Sequence, residues 1–329
     1  DEAGTVLTLK LGEKIEASDE LTLADLVDRA QRPNQMAPTT LQLEPARWPV
    51  SEHGLLFSML TANRPAQRRA ASGALVGCEL YPRGFARTTA PYCLELSSGS
   101  YLATDAGAEL SEALRGATAL TIEAVVSPAS LDQSGPARIV SLSRDTGARN
   151  FTLGQEKDAI VLRLRTPATG RNGTNPQSTL CRFEPGTTVH VAATYTPGLL
   201  IAYVDGREIA RHTTVKGNFS NWEAMELLFG DELTQDRDWA GQLEAVAIYD
   251  RALTPAEVAK SAEVQTALRA ARPSIPQVEV EAVVTAVSPI PSLQSIAPYT
   301  RALVTTEYRV TRVLYGNMEA KTIRVAHWG

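Results

Sequence analysis

Between His53 and Tyr249 the chain consists of short apolar runs broken by Gly, Pro, Asn and Asp, a rhythm of roughly ten residues per repeat. LLFSMLT (55–61), ALTIEAVVSP (119–128), ARIVSLS (137–143), NFTLG (150–154) and AIVLRLR (159–165) come first, and TVHVAATYT (188–196), LLIAYVDGREIAR (199–211), MELLFGD (225–231) and QLEAVAIYD (242–250) follow. A chain of many short strands joined by turns folds as an antiparallel sandwich or barrel. Asp205-Gly206, set between IAYV and REIA, is its sharpest hairpin signal, because both central residues of a two-residue turn need positive φ.

The flanks read differently. Thr5–Leu11 alternates as a strand, and Ser18–Asp28 carries a capped-helix pattern with acids in the first turn. Pro33, Pro38, Pro45 and Pro49 then mark an extended connector. After the strand-rich region, Thr254 caps a helix expected to run to about Ala271, with Pro255 at its first position, Glu257 completing a capping box and Pro273 stopping it. Beyond the Pro273–Pro276 linker, VEVEAVVTAVS, TRALVTTEYRVTRVLYG and KTIRVAHW describe a second, smaller all-β unit. The expected division is 1–50, an N-terminal extension; 51–272, the sandwich with its exit helix; and 273–329, the small β domain, from which the polypeptide is expected to continue past Gly329.

Composition excludes some partners. The net charge is −5, and the most basic patch, Arg64 to Arg69, is short, which argues against nucleic acid. No apolar run approaches the ~18 residues of a membrane span. Cys78, Cys93 and Cys181 make no CxxC or Cys/His framework. Cys78 and Cys93 fit either a disulfide between neighbouring strands or two small buried side chains.

Four ordered stretches resemble the laminin G-like, concanavalin A-like lectin/glucanase superfamily in its pentraxin-related bacterial version: YCLELSSGSYLAT (92–104), ALTIEAVVSP (119–128), HVAATYTPGLLIAYVDGREI (190–209) and DWAGQLEAVAIYDRALTPAEV (238–258). The resemblance covers residues ~52–262 and implies an all-β, two-sheet jelly-roll sandwich, with the short N-terminal extension and the small C-terminal β domain outside it. Glycosidases, lyases, lectins and adhesion modules share this architecture, so the site has to decide the function. Glucanases of this kind carry paired carboxylates on one strand, the short separation a retaining mechanism needs. No such pair is found: Glu95, Glu123 and Glu244 each stand alone in their strands, while Glu226 and Asp231 have the wrong spacing. Glu279 and Glu281 share a strand face in the other domain and read as solvated. The four His, at 53, 190, 212 and 327, match no metalloenzyme motif, and no nucleophile elbow or phosphate loop is present. No catalytic residue is expected.

Pentraxins and laminin G modules bind Ca²⁺ through loop carboxylates, and the resemblance carries that possibility to Asp231, Glu232, Asp236 and Asp238. The competing reading is a solvated loop on the sandwich rim; the loop is shorter than in pentraxins, and Thr234 stands where they have an acid. Trp222, beside Asn218 and Asn221 in GNFSNWEAM, offers either a sugar-stacking platform with amide hydrogen bonds or a plug over the loop. The expected function is a non-catalytic binding module of an exported or cell-envelope protein, recognising a glycan or a cell-surface partner with calcium assisting. A structural accessory domain and a polysaccharide-degrading enzyme are the alternatives. Export is expected from the resemblance and the missing initiator Met.

Overall fold

The computed structural model describes residues 20–24, 38–42, 47–61, 64–89, 93–184, 186–272, 278–296 and 302–328. The chain divides into two compact units, Asp1–Ala270 and Ala271–Gly329.

In the first unit β1 (Glu20–Leu23) pairs antiparallel with β2 (Thr39–Gln42). The helix expected over Ser18–Asp28 is therefore corrected in its described part. Leu21 lies opposite Leu41 and Thr22 opposite Thr40, so cross-strand pairing of an alternating Leu-Thr-Leu run overrides the local helix-start pattern. The expected strand at Thr5–Leu11 lies outside the described residues, as does much of the Pro-rich connector.

The sandwich follows in chain order: β3 (Leu55–Leu60), β4 (Arg64–Arg69), β5 (Leu75–Gly77), β6 (Leu80–Gly84), β7 (Arg87–Thr89), β8 (Cys93–Leu96), β9 (Gly99–Ala103), α1 (Ala106–Arg115), β10 (Leu120–Pro128), β11 (Gln133–Asp145), β12 (Ala148–Lys157) and β13 (Ala159–Leu164). Then come β14 (Ser178–Arg182), β15 (Val189–Thr196), β16 (Leu199–Val204), β17 (Arg207–His212), β18 (Glu226–Phe229), β19 (Gly241–Tyr249) and α2 (Pro255–Ala270). The larger sheet has the order β17-β16-β15-β10-β19-β3-β4-β5, with β8 also pairing to β19 and β7 to β8; the smaller is β14-β13-β12-β11-β18-β9-β6. The neighbours are antiparallel throughout, as the jelly-roll expectation requires. Asp205 and Gly206 turn between β16 and β17 with φ of 47° and 78°, the conformation their hairpin signal demands.

Alternation divides each strand between two environments. Ile122, Val246 and Ile248 of the larger sheet and Leu142, Phe151, Leu153, Ile160 and Leu162 of the smaller meet in one core. Phe57 and Phe229 bridge the sheets with ring centroids 5.6 Å apart. The other face of the larger sheet is covered too. Val125, Ala192, Ala245, Ala247 and Tyr249 pack with Val258 and Val264 of α2 and with Trp48, whose indole N–H donates to Ser261 Oγ at 2.8 Å. Two covered faces explain why β19 reads as a nearly continuous apolar run.

The expected α2 cap is formed: Glu257 N donates to Thr254 Oγ1 at 3.2 Å and Thr254 N to Glu257 Oε2 at 2.8 Å. Helix α1, absent from the sequence expectation, closes one end of the sandwich through Leu110 and Leu114. Gly107 permits its close approach to β18, since a Cβ there would lie 2.1 Å from Met225 O. Cys78 is an unpaired thiol donating toward Thr104 O at 3.4 Å, and burial raises its pKa to about 11, so the buried-side-chain reading holds for it rather than the disulfide.

The second unit contains β20 (Glu279–Val287), α3 (Leu293–Ile296), β21 (Leu303–Tyr315) and β22 (Thr322–Trp328). Its strands form an antiparallel sheet of order β20-β21-β22, the small β unit its alternation announces. Glu279 and Glu281 are exposed there.

Candidate functional site

The acidic loop leaves β18 and folds back on itself, with Trp239 N donating to Gly230 O at 2.8 Å. Asp231 is 1% exposed and organises the turn: its Oδ1 accepts Glu232 N at 2.7 Å and Arg237 N at 2.8 Å. Burial, and then the hydrogen bond to the Asp238 side chain, raise the Asp231 pKa to about 7.

Glu232 is completely buried. Its Oε1 accepts Arg138 Nε at 2.6 Å, its Oε2 accepts Ser143 Oγ at 2.5 Å, and Arg149 Nη2 stands 3.8 Å from Oε1. Asp236 is exposed and accepts Thr234 Oγ1 at 2.7 Å, and Asp238 is exposed beside Asp231. The calcium expectation is corrected on this geometry. Both Glu232 oxygens are committed to donors, one Asp231 oxygen holds two amides, and no group of three or more His, Cys, Asp or Glu able to hold a metal occurs among the described residues. This donor set does not fit Ca²⁺, which needs six to eight converging oxygens.

The stacking platform is corrected as well. Trp222 is 2% exposed; its indole N–H donates to Arg165 O at 2.7 Å, and its ring lies 4.8 Å from Phe219 and 6.3 Å from Phe151. An aromatic with its polar handle satisfied inside a core has no face left for a sugar. Asn218 is exposed and accepts Ser220 N at 3.2 Å in its own turn, and Asn221 is half-buried. Trp222 is the plug, and the two amides do not converge with it on a surface.

Two of the lone carboxylates of the larger sheet, Glu244 and Glu123, are buried. Glu244 is 4% exposed and pairs with Arg269 of α2 at 3.2 Å. Glu123, fully buried, lies 3.5 Å from His190 Nε2.

Two places converge polar chemistry that the sequence reading did not assemble. One is the outer face of the smaller sheet, away from the core. Register aligns Tyr81, Leu102, Leu228, Ser141, Thr152 and Arg163 directly across six strands. Over the centre of that row lie Arg138, Arg149, Ser143 and Glu232, all fully buried, in place of an apolar face. Arg83 of β6 fixes the covering loop by donating to Leu233 O at 2.8 Å.

The other is a groove of 490 Å³ between α1 and strands β3 and β4 of the larger sheet. Leu56, Phe57, Leu110 and Ala113 supply apolar walls, and Arg68, Glu109, Glu112 and Asp250 stand around them. Arg68 pairs with Glu109 across the groove. Arg69 is spent on structure, donating to the carbonyls of Leu55 at 2.6 Å, Gly73 at 2.6 Å and Glu52 at 2.8 Å. The volume lies within the usual range for small-molecule sites, roughly 300–1,000 Å³.

The family comparison agrees with the architecture. Residues 99–259 match the family model of the concanavalin A-like lectin/glucanases superfamily. Among solved structures, domain 4 of AbnA, a GH43 extracellular arabinanase from Geobacillus stearothermophilus solved with arabinotriose, is 16% identical, with a TM-score of 0.46 over 64% of this chain and 100% of that one. The botulinum neurotoxin type C structure is 12% identical, with a TM-score of 0.48 over 64% of this chain and 51% of that one. Trypanosoma rangeli sialidase is 16% identical, with a TM-score of 0.43 over 65% of this chain and 33% of that one. The chain thus spans about half of the neurotoxin chain and a third of the sialidase. No curated protein matches it. Matched motifs, strand order and the helix that follows β19 agree: the segment 99–259 is a laminin G-like domain of the concanavalin A-like lectin/glucanase superfamily.

Proposed function

We propose that the sandwich is a non-catalytic recognition module of an exported or cell-envelope protein, and that it binds a glycan in the groove between α1 and β4. The observation that carries this reading is the groove itself, 490 Å³ with apolar walls and a charged rim. A sugar ring presents C–H faces and hydroxyl edges together. The walls of Leu56, Leu110 and Ala113 suit the first; the Arg68 guanidinium and the Glu109 and Asp250 carboxylates suit adjacent hydroxyl pairs. Lectin and glucanase are both possible roles within the family, so the choice of binding over hydrolysis belongs to this proposal.

A glycan array followed by calorimetry on the strongest ligand tests it. Arg68→Gln and Glu109→Gln are expected to weaken neutral-saccharide binding about tenfold each while the fold is retained, since each removes a charged hydrogen-bond partner. Silence across the array returns the sandwich to an accessory role. Binding indifferent to both substitutions removes the groove as the site, and hydrolysed product overturns the non-catalytic reading.

A further inference from the structure

The face of the larger sheet that α2 covers holds a cluster of buried polar groups. Glu123 lies opposite Ala192 of β15 and Ala247 of β19, while His190 is opposite Val125 and Tyr249 is opposite Thr121. Glu123 therefore has His190 and Tyr249 as diagonal neighbours on one face, with only methyl groups directly beside it. His190 Nε2 stands 3.5 Å from Glu123 Oε1, and the two side chains are 4% and 0% exposed. Burial first, and then the Glu123 charge, push the Tyr249 pKa up, so its hydroxyl stays protonated. Among the described residues, the two Glu123 oxygens, the two His190 ring nitrogens and the Tyr249 hydroxyl have no hydrogen-bond partner. The same is true of both amide atoms of Gln265, which is buried on α2.

The other charged groups around this layer are committed elsewhere. Glu244 of β19 pairs with Arg269 of α2 at 3.2 Å, and Glu257 of α2 takes Arg251 at 2.6 Å. Asp205, exposed in the β16–β17 turn, accepts His190 N at 3.0 Å. Lys260 with Glu263 on α2, and Arg211 with Glu208 on β17, pair at the surface. Tyr203 of β16, whose pKa burial raises, is neutral, as are Thr121, Thr194 of β15 and Ser58 of β3. Glu123 and His190 thus have each other as counter-charge at this depth. Helix α2 lies tight on the sheet, since a Cβ at Gly206 would fall 2.9 Å from Ala259 Cα. Its buried residues are nonetheless Val258, Ser261, Ala262, Val264 and Gln265, which bring little apolar surface to the contact. Elements with few buried apolar contacts are those that open locally.

We propose that Glu123 and His190 form a proton-dependent latch: α2 stays docked while the buried pair holds one proton, and opens locally when alkaline pH removes it. A single uncompensated charge at this depth is strongly unfavourable. Carboxylate with imidazolium, or carboxylic acid with neutral imidazole, leaves none, and both arrangements carry one proton. With α2 lifted, water reaches the two groups, and ordinary Glu and His side chains titrate at about 4.3 and 6.5. Above about pH 6.5 the open state therefore holds no proton and the docked state one. Docking then takes up a proton and weakens by up to about tenfold per pH unit. The stabilisation is complete between about pH 4.3 and 6.5 and is lost as pH rises beyond that window.

Hydrogen exchange of the full chain, read by mass spectrometry at about pH 6 and pH 8 and corrected for intrinsic rates, tests the latch. The amides of α2 are expected to be less protected than those of β12. They should open about tenfold or more as often at the higher pH, with β21 of the second unit unchanged. Glu123→Gln removes the carboxylate, so the docked helix covers a neutral His190 and the trend should reverse, opening rising toward acid pH. His190→Gln leaves the carboxyl group alone, and opening should begin to rise near pH 4.3 instead of 6.5. Wild-type exchange in α2 that is flat across this range, or α2 amides as protected as those of β12, overturns the proposal whether or not either variant folds. Persistence of the wild-type trend in Glu123→Gln overturns it as well.

Discussion

Replacing Glu232 by Ala removes the single buried carboxylate that Arg138 and Arg149 share. The structure sets the scale: a 2.6 Å hydrogen bond from Arg138 Nε, a 2.5 Å one from Ser143 Oγ, and side-chain exposures of 1% and 0% for the Arg138–Glu232 pair. Deleting one partner of a buried pair strands the other, at a cost of about 3–5 kcal/mol, and here two guanidiniums are stranded. Against a typical domain stability of about 5–15 kcal/mol this is a large fraction. With a urea m-value of about 3 kcal/mol/M, the midpoint should fall by roughly 1–1.7 M. Tryptophan fluorescence follows the transition, because Trp48, Trp222 and Trp239 are all buried in the sandwich unit. Glu232→Ala combined with Arg138→Met should be less destabilised than the separate effects predict, by about 2 kcal/mol or more, since the second change removes one stranded charge. A loss below about 1 kcal/mol in Glu232→Ala, or a wild-type midpoint raised by calcium but not in the variant, refutes the assignment of Glu232 to the arginine layer and returns it to a metal.

Two further perturbations separate structure from ligand chemistry. The Asp231 pKa is raised to about 7, above its value of roughly 3.9 in an unfolded chain, so the folded state holds the extra proton between these values. Stability should therefore be highest below the unfolded pKa and decline as pH rises toward about 7; denaturation series at stepped pH should lose this decline in Asp231→Asn. Trp222→Ala should lower stability by about 3–5 kcal/mol in urea unfolding, because it empties a site packed against Phe219 and Phe151. A well-folded Trp222→Ala whose only defect is glycan binding would restore the exposed-platform reading.

Much of the fold was legible because it is encoded locally. Alternation in AIVLRLR marks a strand wherever its neighbours come from, Asp205-Gly206 favours its hairpin turn without tertiary help, and Thr254 with Glu257 carries a helix start within four residues. Helix α1 was missed because it is short and lies among strands, and its buried face is defined by the sandwich end it closes. The helix pattern at Ser18–Asp28 gave way at Glu20–Leu23 because a partner strand was available.

The candidate site was less legible, for a reason visible in single residues. Four acids in one loop read as potential metal ligands because sequence proximity is all that a sequence displays. Glu232 instead takes Arg138, 94 positions away, and Trp222 turns its N–H to Arg165, 57 positions away. The groove between α1 and β4 likewise joins segments distant in the chain. The sequence alone determined the strand rhythm, the family motifs and the helix cap, since these depend on neighbours within a few residues. Only the tertiary structure decided which charges are buried together and which aromatics keep an open face, because desolvation and charge pairing depend on the packing of remote strands rather than on order along the chain.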